Sequence, residues 1–227
     1  MCVSVEMPTL VVTGFGPFSD VLDNPSSRNL DPISGATKYL DIPVSISGVD
    51  AVLREILEKF AQSAEVVLIQ FGVHDETDKL RVEQFAYNEA LFPIPDVDGV
   101  VRSGDRIRSG CAQILRTPID VASLVRAEPK TLISIDPGRY LCNYMYFQSL
   151  RMALRTPHIK PLFVHVPPYS RMGQAAQRRV IQSLLGKLVY RPSLLNKVLV
   201  VVLLALVCAL PLALSVWKRR GILKVFE

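Results

Sequence analysis

Short apolar runs rich in β-branched residues alternate along the chain with stretches whose apolar residues recur at helical spacing. The runs predict strands at 9–13, 39–44, 66–71, 131–135 and 161–166. Helical spacing predicts helices over 50–63, after Cys142 and after Gly173. Pro43 places the second strand at an edge of the sheet. Strands separated by helices predict an α/β fold, a three-layer α/β/α sandwich whose central sheet is twisted and mostly parallel, with ligands at the carboxyl ends of its strands.

One apolar run is too long for this pattern. Residues 198–217 contain no charged side chain, and Trp217 at their end is followed by Lys218, Arg219 and Arg220. A helix of this length reaches about 30 Å, the thickness of a bilayer core. The alternative is a buried core helix, which is rarely apolar on every face. The run therefore predicts a transmembrane helix, preceded by a globular domain at 1–190 and a linker at 191–197 and followed by a short basic tail at 218–227.

The charge of the chain divides at the same place. Residues 1–190 hold 20 basic and 20 acidic residues, so the net charge of +5 belongs to residues 191–227. A neutral domain without a basic stripe argues against nucleic acid as a partner. Residues 1–15 lack the basic and apolar regions of a signal peptide. We therefore expect a single-pass membrane protein whose globular domain faces the cytosol, with the organelle left open.

Candidate chemistry lies where the predicted strands end. Cys142 follows the fourth strand and opens a helix, where free N–H groups and the helix dipole favour a thiolate. His165 ends the fifth strand, a position suited to a general base. Taken alone, Cys142 is more often a small buried apolar residue, and His165 is as readily a hydrogen-bond partner of the backbone.

The first strand runs into a loop that carries two aromatic residues, Phe15 and Phe18, separated by Gly16 and Pro17. These rings either line a pocket or belong to the core. The glycine spacing is not that of a dinucleotide fingerprint. No cluster has metal-ligand spacing, and no cofactor is expected. His74 lies beside Asp75 and Glu76 in what reads as a solvated acidic run.

Together these segments resemble the pyroglutamyl-peptidase I family, cysteine peptidases that remove an N-terminal pyroglutamate. The resemblance rests on three segments: 13–18 with Asn24-Pro25-Ser26, then 80–99, and finally 138–150 with Phe163-Val164-His165-Val166-Pro167. It implies Cys142 as nucleophile, His165 as base and Glu83 as the third member of a triad. It further implies that Phe15, Phe18 and Val73 bind the pyroglutamyl ring, and that the backbone N–H of Cys142 stabilises the oxyanion. The implied substrates are peptides with N-terminal pyroglutamate.

The chain also departs from the family pattern. Residues 71–78 are acidic where the family has a Gly-rich stretch ending in Gly-Arg, and Pro93 stands where many members carry Arg. These changes motivate a second hypothesis, a membrane-tethered module that binds pyroglutamyl groups with little or no catalysis. A third hypothesis is a related thiol hydrolase acting on another blocked N-terminus. The complete Cys-His-Glu set favours the peptidase.

Overall fold

Ten strands and five helices make up the described part of the chain. The computed structural model describes residues 7–19 and 21–189. The strands are β1 (Thr9–Phe15), β2 (Ala36–Ile42), β3 (Val66–Val73), β4 (Leu80–Glu83), β5 (Phe85–Tyr87), β6 (Ala90–Leu91), β7 (Ser103–Asp105), β8 (Ile114–Arg116), β9 (Thr131–Ser134) and β10 (Ile159–Val166). The helices are α1 (Pro25–Arg28), α2 (Ile46–Lys59), α3 (Val121–Arg126), α4 (Leu141–Ala153) and α5 (Gln174–Val189).

Six of the strands form one mixed, mostly parallel sheet in the order β2-β1-β3-β10-β4-β9. Neighbours from β2 to β10 pair in parallel. β4 pairs antiparallel with β10 and parallel with β9, so the last two strands run in the opposite direction. β5 pairs with β8 and β6 with β7 in two small antiparallel sheets. The fold is therefore α/β, with a reversal between β10 and β4.

Helices cover both faces of this sheet because its strands are apolar on both sides. In β3, Val66 and Leu68 belong to one apolar cluster and Val67 and Ile69 to the other. The first cluster is completed by α2 and α4, and the second by α3 and α5. Side chains alternate between the faces of a strand, so the face on which a residue lies follows from its position along the strand.

The five predicted strands are confirmed, with boundaries shifted by a few residues. The edge position of β2 is also confirmed, and this strand ends at Ile42, directly before Pro43. The helices predicted over 50–63, after Cys142 and after Gly173 correspond to α2, α4 and α5. β4 was not predicted as a strand.

The predicted linker at 191–197, the transmembrane helix at 198–217 and the basic tail at 218–227 lie outside the described residues. Within residues 7–19 and 21–189, none of the helices combines the length and the apolar character needed to cross a bilayer.

Candidate active site

Cys142 is the second residue of α4, as its sequence context predicts. The preceding Tyr140 provides no side-chain cap, and the first backbone hydrogen bond of the helix runs from the N–H of Tyr144 to the carbonyl of Tyr140. The N–H groups of the first turn therefore have no partners within the helix, and they lie at its N-terminus, where the helix dipole is positive. This position provides N–H donors for an oxyanion next to the thiol.

The Cys142 thiol lies against the backbone of β3 at Gly72. A Cβ atom built on Gly72 would lie 2.6 Å from Cys142 Sγ and 2.9 Å from Cζ of Phe163. Both distances are far below van der Waals contact. Glycine is therefore the residue that lets the thiol approach the sheet at this point.

His165 and Glu83 form a buried pair beside the thiol. Nδ1 of His165 lies 2.8 Å from Oε1 of Glu83, and the two residues are 2% and 0% exposed. An ionised carboxylate only accepts hydrogen bonds, so Nδ1 carries the proton and donates to Glu83. The side chain of Cys142 is also a hydrogen-bond partner of His165. The three groups thus form a chain from carboxylate to imidazole to thiol.

The surroundings of His165 favour its protonated form. Burial alone disfavours the imidazolium, but the charge and hydrogen bond of Cys142, followed by those of Glu83, outweigh it. The result is a pKa of His165 raised to about 9. An imidazolium next to a thiolate is the state from which a cysteine nucleophile reacts.

Glu83 reaches His165 because β4 is inserted antiparallel beside β10. Glu83 lies opposite Phe163, and Arg81 lies opposite His165. Leu80 and Val82 of the same strand belong to the apolar cluster on the other face of the sheet. Arg81 and Glu83 therefore share the face on which His165 and Cys142 lie.

Sequence reasoning missed two neighbours of the pair, Arg81 and His74. Nε of Arg81 is 3.5 Å from Oε1 of Glu83, and only 10% of the Arg81 side chain is exposed. The ring of His74 stands edge-on to that of His165, with 5.2 Å between centroids. Burial, then the charges of His165 and Arg81, lower the pKa of His74. The prediction that His74 belongs to a solvated run is wrong, because its side chain is only 24% exposed.

The three predicted ring-binding residues occupy different environments. Phe15 is 3% exposed and belongs to the same apolar cluster as α4, while Phe18 is partly exposed and packs against that cluster. The rings of Phe18 and Tyr140 lie 6.5 Å apart. The side chain of Val73 packs against the opposite cluster, because it follows Gly72 in β3. The structure therefore does not bring the Val73 side chain to the thiol, and only its backbone lies next to Gly72.

Asn143 anchors the start of α4. Its fully buried amide accepts a hydrogen bond from the N–H of Tyr87 and donates to the carbonyls of Tyr87 and Glu89. These bonds tie the residue after the thiol to β5 and the segment that follows it.

Among the described residues, no group of three or more His, Cys, Asp or Glu side chains is placed to hold a metal ion.

Comparisons with known proteins identify the family and the fold. The family model described as pyroglutamyl peptidase matches residues 8–184. A pyrrolidone-carboxylate peptidase of Clavibacter michiganensis is 28% identical over 191 residues, which are 75% of this chain and 88% of that protein. Pyroglutamyl-peptidase 1 of Homo sapiens is 26% identical over 204 residues, 81% and 94% of the two chains. The solved structure of pyrrolidone carboxyl peptidase from Thermococcus litoralis shares the fold, with a TM-score of 0.72 at 23% identity over 81% of this chain and 93% of that one.

Proposed function

Because the chain belongs to the pyroglutamyl peptidase family of cysteine exopeptidases, we propose that it removes N-terminal pyroglutamate from peptides with Cys142, His165 and Glu83. The observation that carries this proposal is the buried hydrogen bond of 2.8 Å between His165 and Glu83, together with the charge and hydrogen bond of Cys142 that raise the pKa of the same imidazole. This chain of groups is the arrangement that activates a cysteine nucleophile.

The proposed reaction has two steps. The Cys142 thiolate attacks the carbonyl carbon of the pyroglutamyl residue, and backbone N–H groups at the start of α4 stabilise the oxyanion. The imidazolium of His165 protonates the leaving amine, which yields a pyroglutamyl thioester and the shortened peptide. Neutral His165 then takes a proton from water as the water oxygen attacks the thioester carbonyl, and expulsion of the Cys142 thiolate releases pyroglutamate and restores the thiolate–imidazolium pair. Glu83 holds Nδ1 of His165 and stabilises its charged form.

We assign recognition of the lactam ring to Phe18 and Phe15. Phe18 retains exposed surface next to Tyr140, whereas Phe15 contributes from within the core. A flat uncharged ring fits an aromatic slot, and a free ammonium group would lose its hydration there without gaining a partner. Val73 would contribute through its backbone, since its side chain packs on the other face of the sheet.

The decisive experiment is hydrolysis of a chromogenic pyroglutamyl amide by the full chain in detergent. We expect turnover by the wild type, none by Cys142→Ala, and undiminished turnover by Cys111→Ala, which removes the other partly buried cysteine among the described residues. Alkylation should inactivate the enzyme, and a pyroglutamyl aldehyde should protect it. Turnover that persists in Cys142→Ala would refute the proposed nucleophile. Binding of the aldehyde by a wild type without turnover would favour the inactive binding module instead.

We further propose that residues 198–217 tether the domain at 1–190 to a membrane as a single-pass protein, with the domain in the cytosol. The support is their uncharged run of 20 residues and the basic cluster that follows Trp217. A fluorescent-protein fusion to residues 187–227 should localise to an organelle membrane and resist extraction at alkaline pH, and the organelle it marks identifies the target. Diffuse fluorescence would contradict the tether.

A further inference from the structure

Glu83 has fewer partners than a buried carboxylate normally requires. It is fully buried, and the hydrogen bond from His165 goes to Oε1 alone. Within the described residues Oε2 accepts no hydrogen bond. The hydroxyl of Tyr146 donates to the backbone carbonyl of Glu83 rather than to its side chain. A buried carboxylate stays ionised only if nearby charges or donors replace its lost hydration.

Apart from His165 itself, the cation paired with this carboxylate in the described part of the chain is Arg81. Its Nε lies 3.5 Å from Oε1 of Glu83, the oxygen that also holds His165. Nε itself is buried and donates no hydrogen bond. The guanidinium is held in place from the other side, because Nη2 donates to Oγ of Ser134 and to the carbonyl of Asp136, both at 2.7 Å.

On this basis, and granting the proposed function, we propose that Arg81 is a positioning residue of the active site: its fixed guanidinium pairs with the buried carboxylate of Glu83 and keeps it aimed at Nδ1 of His165. Arg81 reaches the pair because β4 alternates, so that Arg81 and Glu83 share one face of the strand. Among the described residues, Arg81 makes no hydrogen bond to the Cys142 thiol or to the His165 ring, and it acts on them through Glu83.

The other charged and titratable groups around Arg81 fit this role. Nη1 approaches the ring of His74 at 3.2 Å and pairs with the carboxylate of Glu76. Glu76 is 71% exposed, so solvent screens it, whereas Glu83 is not exposed at all. The remaining titratable groups that face the pair are Cys142 on α4, His165 on β10 and Tyr146 on α4. Arg81 is therefore the buried guanidinium of a site that also holds the Glu83 carboxylate, the His165 and His74 imidazoles, a thiol and a phenol, and unlike His165 it keeps its positive charge throughout the reaction.

The test compares Arg81→Gln and Arg81→Lys with wild type in kcat and KM across pH. Loss of a buried positive charge raises the pKa of every titrating group of the site. The rising and falling limbs of the plot of kcat against pH should therefore both shift to higher pH by about one unit. In Arg81→Gln we expect kcat to fall at least about tenfold at neutral pH with KM nearly unchanged. In Arg81→Lys the two limbs should lie between those of the wild type and those of Arg81→Gln. Arg28→Gln, which removes an exposed arginine with two acidic neighbours, is the matched control and should change neither.

A second readout keeps this inference separate from the proposed function. The rate at which iodoacetamide alkylates Cys142 reports its ionisation without turnover, and it should shift to higher pH in Arg81→Gln. If wild type fails to hydrolyse the amide, the peptidase proposal falls while the alkylation profile still tests Arg81. If Arg81→Gln does not fold, as judged by circular dichroism, Ser134→Ala loosens the guanidinium and should shift the limbs in the same direction by less. Rate and alkylation profiles with unmoved limbs in the folded variants would overturn the role of Arg81.

Discussion

Replacing Gly72 with alanine tests the closest approach in the candidate site. The new methyl group would lie 2.6 Å from Cys142 Sγ and 2.9 Å from Cζ of Phe163. Carbon atoms in contact normally keep about 3.5–4.0 Å, and sulfur is larger than carbon, so the thiol must retreat by about 1 Å. The φ angle of Gly72 lies outside the left-handed region, so the backbone accepts alanine and the effect is steric.

A displacement of about 1 Å at the reacting atom costs roughly 100-fold in rate, equivalent to about 2.7 kcal/mol. Crowding should also lower the free energy of unfolding by about 1–3 kcal/mol. The assays are kcat/KM on the pyroglutamyl amide and urea denaturation. Gly186→Ala is the matched control. Outside its own helix, no atom of the described residues lies within 4 Å of the added methyl, and alanine favours helix α5, so activity should hold and stability should rise by up to about 1 kcal/mol. A Gly72→Ala variant with kcat/KM within twofold of wild type would refute the placement of the thiol.

The remaining predictions concern protonation and buried hydrogen bonds. The pKa of His165 is raised to about 9, above its value of about 6.5 in the unfolded chain. The imidazolium therefore stabilises the fold fully below pH 6.5, and both this stabilisation and catalysis decline as pH rises through about 9. Rate and stability profiles that stay flat from pH 6 to 10 would contradict this. Asn143→Ala leaves three backbone groups without partners and should cost about 3 kcal/mol in urea denaturation, and a loss below about 1 kcal/mol would count against the anchor. Tyr146→Phe removes a bond of 2.8 Å to a backbone carbonyl and should cost about 1–2 kcal/mol while kcat stays within about threefold; a larger loss of kcat would mean that the hydroxyl also acts on the Glu83 carboxylate.

The parts of the fold predicted from sequence are those with strong apolar periodicity. β3 is buried along most of its length and β10 almost entirely, so their runs of apolar residues stand out from the neighbouring segments. The start of α4 was also predictable, because a helix that follows a strand and a Gly-containing loop places Cys142 in its first turn.

The burial of both faces of β4 could not be predicted from its sequence. Its four residues alternate Leu80 and Val82 with Arg81 and Glu83, a pattern typical of a strand with one solvated face. In the structure all four are buried, and the charged face is covered by the site itself. Sequence periodicity reports which residues share a face but not whether that face meets water or other charges. The reversed direction of β4 was hidden as well, since strand direction depends on pairing between distant segments.

The acidic segment after β3 makes contacts in the structure that its sequence does not indicate. From the sequence, His74, Asp75 and Glu76 are expected to be solvated, and they stand where the family pattern has a stretch that ends in Gly-Arg. In the structure, His74 and Glu76 meet the outer nitrogen of Arg81, and Asp75 pairs with Arg171. An anion on the solvent side of a buried guanidinium compensates its charge at little desolvation cost, since that anion stays hydrated. The acidic loop and the arginine of β4 therefore complement each other in charge, and the loop that looks solvated in the sequence neutralises the outer side of a buried cation.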